Sequence, residues 1–375
     1  MVDRSAAPAR PAGLDGSRLR LAVLAGGALV LLVLYARRGL AGWTDGPLPY
    51  DLVVFLDAAE AVLHGHNPFP DAATLTGDQN YVYPPLLALA LVPLSAVPTS
   101  VAVLLWVVVG VAAVAGSLWL LGVRDPWVYL VAFLFPATRD AVGAGTVGPL
   151  LLLAIALAWR TRDARPAGAA LSVGLAVALK LFTWPLLVWL AATHRVRTML
   201  LAIALGLGLA LASWAVIGFD GLGAYPRVLR RLSELEAERS YSLVAVARAV
   251  GVGDVLAVAI SVVAGVALLA YAFVAGRDDR LAREDRDRRA LTASIAAALA
   301  LSPIVWIHYL VLLLAPLALA RPRLSPLWLV LLVPLVPRLW GWEPAGWPEG
   351  DLASLAVILG VAALVLAALL RVRST

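Results

Sequence analysis

The sequence predicts an all-α, polytopic integral membrane protein. Of its 375 residues, 62% are hydrophobic and only 14% charged, and the mean hydropathy of +0.89 lies well above that of soluble domains. Several apolar runs of Leu, Val and Ala approach the roughly 20 residues that cross a bilayer as a helix. A transmembrane barrel would instead alternate apolar and polar residues in segments of about ten, so a barrel is rejected. The net charge is +6, but the basic residues sit in short loops between apolar runs, where they set topology. Nucleic acid is therefore not an expected partner; membrane lipids are.

The elements follow in order. Residues 1 to 18, rich in Ala, Pro and Arg, are expected to be a disordered cytoplasmic N-terminus and not a signal peptide, because no small-residue cleavage site follows the first apolar run. The first span covers roughly Leu19 to Leu34, with Arg18 and Arg20 at its inner end. The positive-inside rule then places the loop at about 40 to 84 outside. Five Arg-rich segments read as cytoplasmic: TRDAR (161 to 165), HRVR (194 to 197), RDDRLAREDRDRR (277 to 289), RPR (321 to 323) and the tail at 371 to 375. Between the first two, residues 167 to 193 are too few for two full spans, so a break at KLFTWP (180 to 185) should make two short helices with Lys180 at the outer turn. The same reasoning breaks 290 to 320 at SPIVWIHY (302 to 309) and places His308 outside. Longer spans are expected at 199 to 219, 255 to 275, 324 to 338 and 351 to 370, with outer loops at 220 to 254 and at the Trp-rich 339 to 350. Residues 84 to 159 hold four candidate segments where an odd number is needed, so the proline-bounded PPLLALALVPL (84 to 94) is read as re-entrant or interfacial. The sum is a single domain over 19 to 370 with about twelve spans, several of them short or broken.

Ionisable groups at membrane level are expensive and hence functional candidates. On this topology Asp51, Asp57, Glu60, His64, His66, Arg139, Asp140, Lys180, Arg227, Arg230, Arg231 and His308 all face outward. In YDLVVFLDAAEAVLHGHNPF (50 to 69), Leu52, Phe55, Ala59 and Val62 form the apolar side of an amphipathic helix, and Asp57, Glu60 and His64 the polar side. A helix lying on the membrane surface explains Asp57 and Glu60 without catalysis. Asp51, at its start, reads either as a capping or first-turn carboxylate or as an acting one. Lys180 is the only lysine of the chain, set in an apolar run, and a compact ammonium there suits a phosphate oxygen; snorkelling is the plainer alternative. His308 stands between Trp306 and Tyr309 at a helix break and reads either as a structural or as a functional group. Cys is absent and His residues number four, so no thiolate or multi-His metal site is expected; neither metal nor cofactor is predicted.

Four stretches, in this order and spacing, resemble glycosyltransferase family 87: YDLVVFLDAAEAVLHGHNPF, YVYPPLLALALVPL (81 to 94), ALKLFTWPLL (178 to 187) and SPIVWIHY. The resemblance spans about residues 45 to 320. It implies a GT-C-type helical bundle and an actinobacterial α-mannosyltransferase that takes its sugar from a polyprenyl-phosphate donor on the outer face of the plasma membrane. It also implies roles: Asp51 as general base, with Lys180 and His308 at the donor phosphate or sugar. Arg227 or Arg230 could add cationic help, and Tyr83, in the Tyr-Pro-Pro block, joins Asp57 and Glu60 as acceptor-side or surface-helix positions. Two departures stand out. GAGTVGP (143 to 149) lacks the family's frequent Gly-Gln-x-Asn amides, and Val305 and Tyr309 replace a frequent Ser and second His. These weaken any inference about the sugar, mannose or a pentose such as arabinose, and about the lipid or glycan acceptor. Competing readings are a transporter or flippase of lipid-linked sugars and a non-catalytic assembly protein. The first predicts paired interrupted segments in matching halves, which the sequence does not show.

Overall fold

The computed structural model describes residues 49–335, except 72, 74, 76–79 and 238, together with residues 352–371. The expected N-terminal segment, first span, Trp-rich loop and most of the tail lie outside these residues. Among the described residues all regular structure is helical. Helix α1 (Tyr50–Leu63) is followed by α2 (Pro85–Ser95), α3 (Thr99–Leu120), α4 (Pro126–Leu134), α5 (Pro136–Gly143) and α6 (Gly148–Thr161). Next come α7 (Pro166–Leu179), a 3₁₀ turn at Leu181–Thr183, α8 (Pro185–Ala192) and α9 (Val196–Val216). The segment 220 to 254 carries α10 (Tyr225–Leu235) and α11 (Leu243–Ala249), and α12 (Asp254–Gly276) returns to α13 (Arg283–Leu301). A 3₁₀ segment at Ile307–Leu313 leads into α14 (Leu314–Ala320) and α15 (Pro326–Leu329), and α16 (Leu352–Arg371) closes the described chain. Proline at the first or second position opens α2, α4, α5, α6, α7, α8, α10 and α15, where its missing N–H would have no intrahelical partner anyway.

Among the described residues, four helices are long and apolar enough to cross a bilayer: α3, α9, α12 and Ser354–Arg371 of α16. Their outer faces carry bare aliphatic side chains such as Leu207 (58% exposed) and Val263 (67%), as lipid-facing helices do. α5 and α6 form one apolar unit bent by 114°, at the GAGTVGP stretch. The proline-bounded α2, read from the sequence as re-entrant or interfacial, is too short to cross alone, and the bend at residues 144 to 147 is a second departure that the sequence reading did not place. The breaks at KLFTWP and SPIVWIHY stand where the sequence places them. The expected span at 324 to 338 is represented only by the four-residue α15 and a 3₁₀ segment at Val330–Leu335, with Pro334 interrupting it.

Close packing between helices rests on small residues. α7 crosses α9 at Gly174 and Gly206, where a Cβ on Gly174 would lie 2.7 Å from the Ala202 carbonyl oxygen. The interior is sealed by large rings: Trp189 and Trp328 are fully buried, and Trp159 stacks on Trp189 with centroids 6.1 Å apart.

The Arg-rich end of the bundle corrects one expectation. RDDRLAREDRDRR is not all loop, because α13 starts at Arg283 and buries Asp285, Asp287 and Arg288. Asp287 accepts from Arg162 Nε at 2.8 Å and from both terminal nitrogens of Arg195, at 2.9 and 2.7 Å. Asp163 accepts from Arg195 and Arg283 at 2.8 and 2.7 Å. Basic residues that signal topology thus also tie three loops to one end of the bundle. Alternating signs make this possible: each carboxylate lies within reach of two guanidiniums.

Candidate active site

At the opposite end from this ion cluster, four remote parts of the chain meet. α1 brings Asp51 because its apolar side packs inward: Leu52 and Phe55 are 1% exposed and Ala59 is fully buried, while Asp57, Glu60 and His64 point out. The helix is pinned at its start, where the Asp51 N–H donates to the Ala144 carbonyl at 3.1 Å. That carbonyl belongs to the turn between α5 and α6, which comes this close because Gly145 has φ +75° and no side chain; a Cβ there would lie 2.7 Å from Leu52 Cβ. Trp106 fixes the same turn by donating from Nε1 to the Gly145 carbonyl at 2.7 Å.

Asp51 does not cap the helix. Pro49 holds the N-cap position, no side chain caps it, and Asp51 Oδ2 is buried without a hydrogen-bond partner among the described residues. Burial pushes its carboxyl above the ordinary carboxylate range; His308 and Lys180 oppose that rise and Asp140 adds to it. A buried oxygen left unpaired beside cationic groups asks for an external partner.

Lys180 sits in extended backbone (φ −150°) between α7 and the following 3₁₀ turn, so its ammonium leaves the helix axis. Nζ donates to Tyr83 Oη at 2.8 Å and lies 3.9 Å from the Tyr309 ring centroid, with the Phe182 and Trp306 rings each at 5.8 Å. This is an aromatic cage around a single cation, so the snorkelling alternative does not describe it. Tyr83 is placed by Phe55, whose ring meets it edge-on at 4.9 Å, and by the Tyr-Pro-Pro turn, where Tyr81 Oη donates to the Pro84 carbonyl at 2.7 Å.

His308 is 1% exposed, on the 3₁₀ segment after the Ser-Pro break. That break is tied to the 240 to 242 stretch: Tyr241 N–H donates to the Val305 carbonyl at 2.7 Å, and Ser240 Oγ accepts from the Val305 N–H at 2.9 Å. His308 Nδ1 lies 3.0 Å from Asp140 Oδ2, while Nε2 is buried and unpaired among the described residues. Beside Lys180 opens a cavity of about 270 Å³. Its walls are mostly apolar, with Trp184, Leu229, Leu301 and Ile304 among them and Tyr83, Trp306 and Tyr309 at the cluster.

Of the residues expected from the sequence, the structure brings Asp51, Tyr83, Lys180 and His308 together. Asp57 and Glu60 stand on the exposed side of α1. Arg227 and Arg230 stand apart as well. α10 turns Tyr225, Leu229, Leu232 and Ser233 to the cavity, and at 100° per residue Arg227 falls on its far side and Arg230 on its flank, both exposed. The sequence reading includes Asp140 among the outward groups but gives it no part; the signal was an Arg-Asp pair in the apolar run between 127 and 159. The Tyr309 contact with Lys180 had no such signal, because an aromatic beside a helix break is ordinary.

Fold and site define a helical membrane protein that sets a carboxylate, an ammonium and an imidazole beside an apolar cavity. The chain belongs to glycosyltransferase family 87, whose family model matches residues 81–306, and it is a membrane glycosyltransferase. The match takes in Tyr83 and Lys180 and stops short of Asp51 and His308. No curated protein and no solved structure matches the chain.

Proposed function

We propose that the protein is a hexosyltransferase that moves a sugar, mannose, from a polyprenyl-phosphate donor to a lipid or glycan acceptor at the outer face of the plasma membrane, with inversion at the anomeric carbon. The observation that carries this reading is Asp51 within electrostatic reach of Lys180 and His308, with Lys180 lining an apolar cavity and Asp51 Oδ2 and His308 Nε2 both unpaired among the described residues.

The chemistry needs little more. The acceptor oxygen bonds to the anomeric carbon, the bond from that carbon to the phosphate oxygen breaks, and the polyprenyl phosphate leaves with the electron pair. Asp51 takes the hydroxyl proton, and its upward shift by burial makes it a stronger base than a solvated carboxylate. Lys180, held by Tyr83 and the aromatic cage, meets the charge that grows on the departing phosphate, and His308 offers Nε2 as an acceptor to a hydroxyl of the donor sugar. The apolar cavity walls suit the first isoprene units of the donor.

The test is transfer by the purified protein in lipid nanodiscs, with a membrane extract as acceptor source and three donors in parallel: polyprenyl-phosphate mannose, polyprenyl-phosphate arabinose and a mannose nucleotide. Transfer from polyprenyl-phosphate mannose alone is expected, and transfer from the nucleotide alone would contradict the reading. Orientation is read by His66→Cys labelling with an impermeant maleimide, since the chain has no native Cys and His66 is exposed. Labelling from outside is expected; labelling only from inside would overturn the outward site.

A further inference from the structure

We infer that Asp140 is the positioning residue for His308: its carboxylate accepts the Nδ1–H and so turns Nε2 into the nitrogen that meets the substrate. The inference rests on the reading of His308 as a site residue.

The geometry is specific. His308 Nδ1 and Asp140 Oδ2 are 3.0 Å apart, and the imidazole is otherwise boxed by rings, Trp306 at 5.6 Å and Tyr309 at 5.1 Å between centroids. With Nδ1 engaged, the only polar atom left on the ring is Nε2, buried and unpaired among the described residues. A carboxylate on one ring nitrogen fixes the proton there and holds the other nitrogen in a single orientation.

Asp140 also sits on a template. It belongs to α5, the short helix packed against the 3₁₀ segment that carries His308. The residue that caps the same helix, Ala144, accepts from the Asp51 backbone N–H. α5 therefore sets the base through its C-cap carbonyl and the imidazole through its one carboxylate, which gives a reason for an Arg-Asp pair in an otherwise apolar stretch. Asp140 is about one-third exposed, with 36% of its side chain accessible, whereas His308 is sealed, so the carboxylate is not needed to neutralise a buried charge of its own.

The test has two arms. The chain has four His, so isotopically labelled histidine gives few NMR signals, and His308→Gln identifies the one of interest. In the wild type the Nδ1 of His308 should carry a proton; in Asp140→Ala that proton should no longer be fixed at Nδ1. In transfer from polyprenyl-phosphate mannose, Asp140→Ala should lower kcat about 10- to 100-fold with KM unchanged, the range seen for carboxylates that orient a working histidine at metal sites. Asp140→Glu, which keeps an acceptor, should recover part of it. Asp140→Leu, which also removes the acceptor, carries the same readouts should the Ala variant fold poorly. A bare Nδ1 in the wild type, an unchanged tautomer in the variant that lacks the acceptor, or full kcat without the carboxylate would each overturn the assignment. If the wild type transfers no mannose, the proposed function falls and the tautomer alone decides this inference.

Discussion

Lys180 shows why residue type matters as much as charge. Its ammonium is a point donor held 2.8 Å from Tyr83 Oη and 3.9 Å from the Tyr309 centroid, and a planar guanidinium is too wide for that cage. Lys180→Arg should therefore lower the initial rate of transfer by about 100-fold or more, no better than Lys180→Met, measured at equal protein levels. An active Arg variant would reduce the cage to a generic positive charge. This position was legible early, since a lone Lys among many Arg in an apolar run stands out. Asp51 was half legible: the sequence pointed to it but allowed a capping role, and only its neighbours across the fold show an oxygen left without a partner. Asp140 shows the converse, because its meaning depends on a residue 168 positions away that no local pattern connects to it.

Among the elements, the short and broken helices were the most legible. Arg-rich loops count spans, and prolines at Pro185 and Pro303 mark where a run cannot continue. How the helices touch was not legible. Nothing in an apolar run says which glycine faces a neighbour, yet Gly174 and Gly208 differ completely. A Cβ on Gly174 meets the Ala202 carbonyl at 2.7 Å and the Gly206 nitrogen at 3.1 Å, whereas one on Gly208 meets nothing within 4 Å. Gly174→Ala should destabilise the bundle by about 1–3 kcal/mol by forcing α7 from α9, and Gly208→Ala should leave thermal unfolding in detergent nearly unchanged. Equal unfolding of the two would contradict the packing.

The ion cluster at the other end makes a pH prediction. Burial alone would raise the Asp163 carboxyl, but the hydrogen bond from Arg195 and the charges of Arg195, Arg162 and Arg283 outweigh it and hold the group below the usual 3.8. A carboxyl depressed on folding contributes stability above its unfolded value and loses it as pH falls through the folded one. Lowering the pH from about 5 to about 3 should therefore lower the unfolding temperature, and Asp163→Asn should lose less over that window. An identical loss in the variant would assign the acid sensitivity elsewhere.

For the whole molecule, the two ends divide the work. One end is tied by paired charges, and the other holds unpaired polar atoms beside an apolar cavity, the pattern expected where stability and chemistry are kept apart. The membrane class was readable from composition and loop charge, and four short stretches singled out Asp51, Lys180 and His308 as candidates. The 114° bend between α5 and α6 was not, because it needs Gly145 against Leu52, a contact between segments about ninety residues apart. The central claim is that Asp51 takes the proton of the acceptor hydroxyl. It is tested most directly by comparing Asp51→Asn with the wild type for transfer from polyprenyl-phosphate mannose and for binding of that donor. Transfer should fall by about 10²- to 10⁴-fold with donor binding intact; an Asn variant that transfers at the wild-type rate would contradict it.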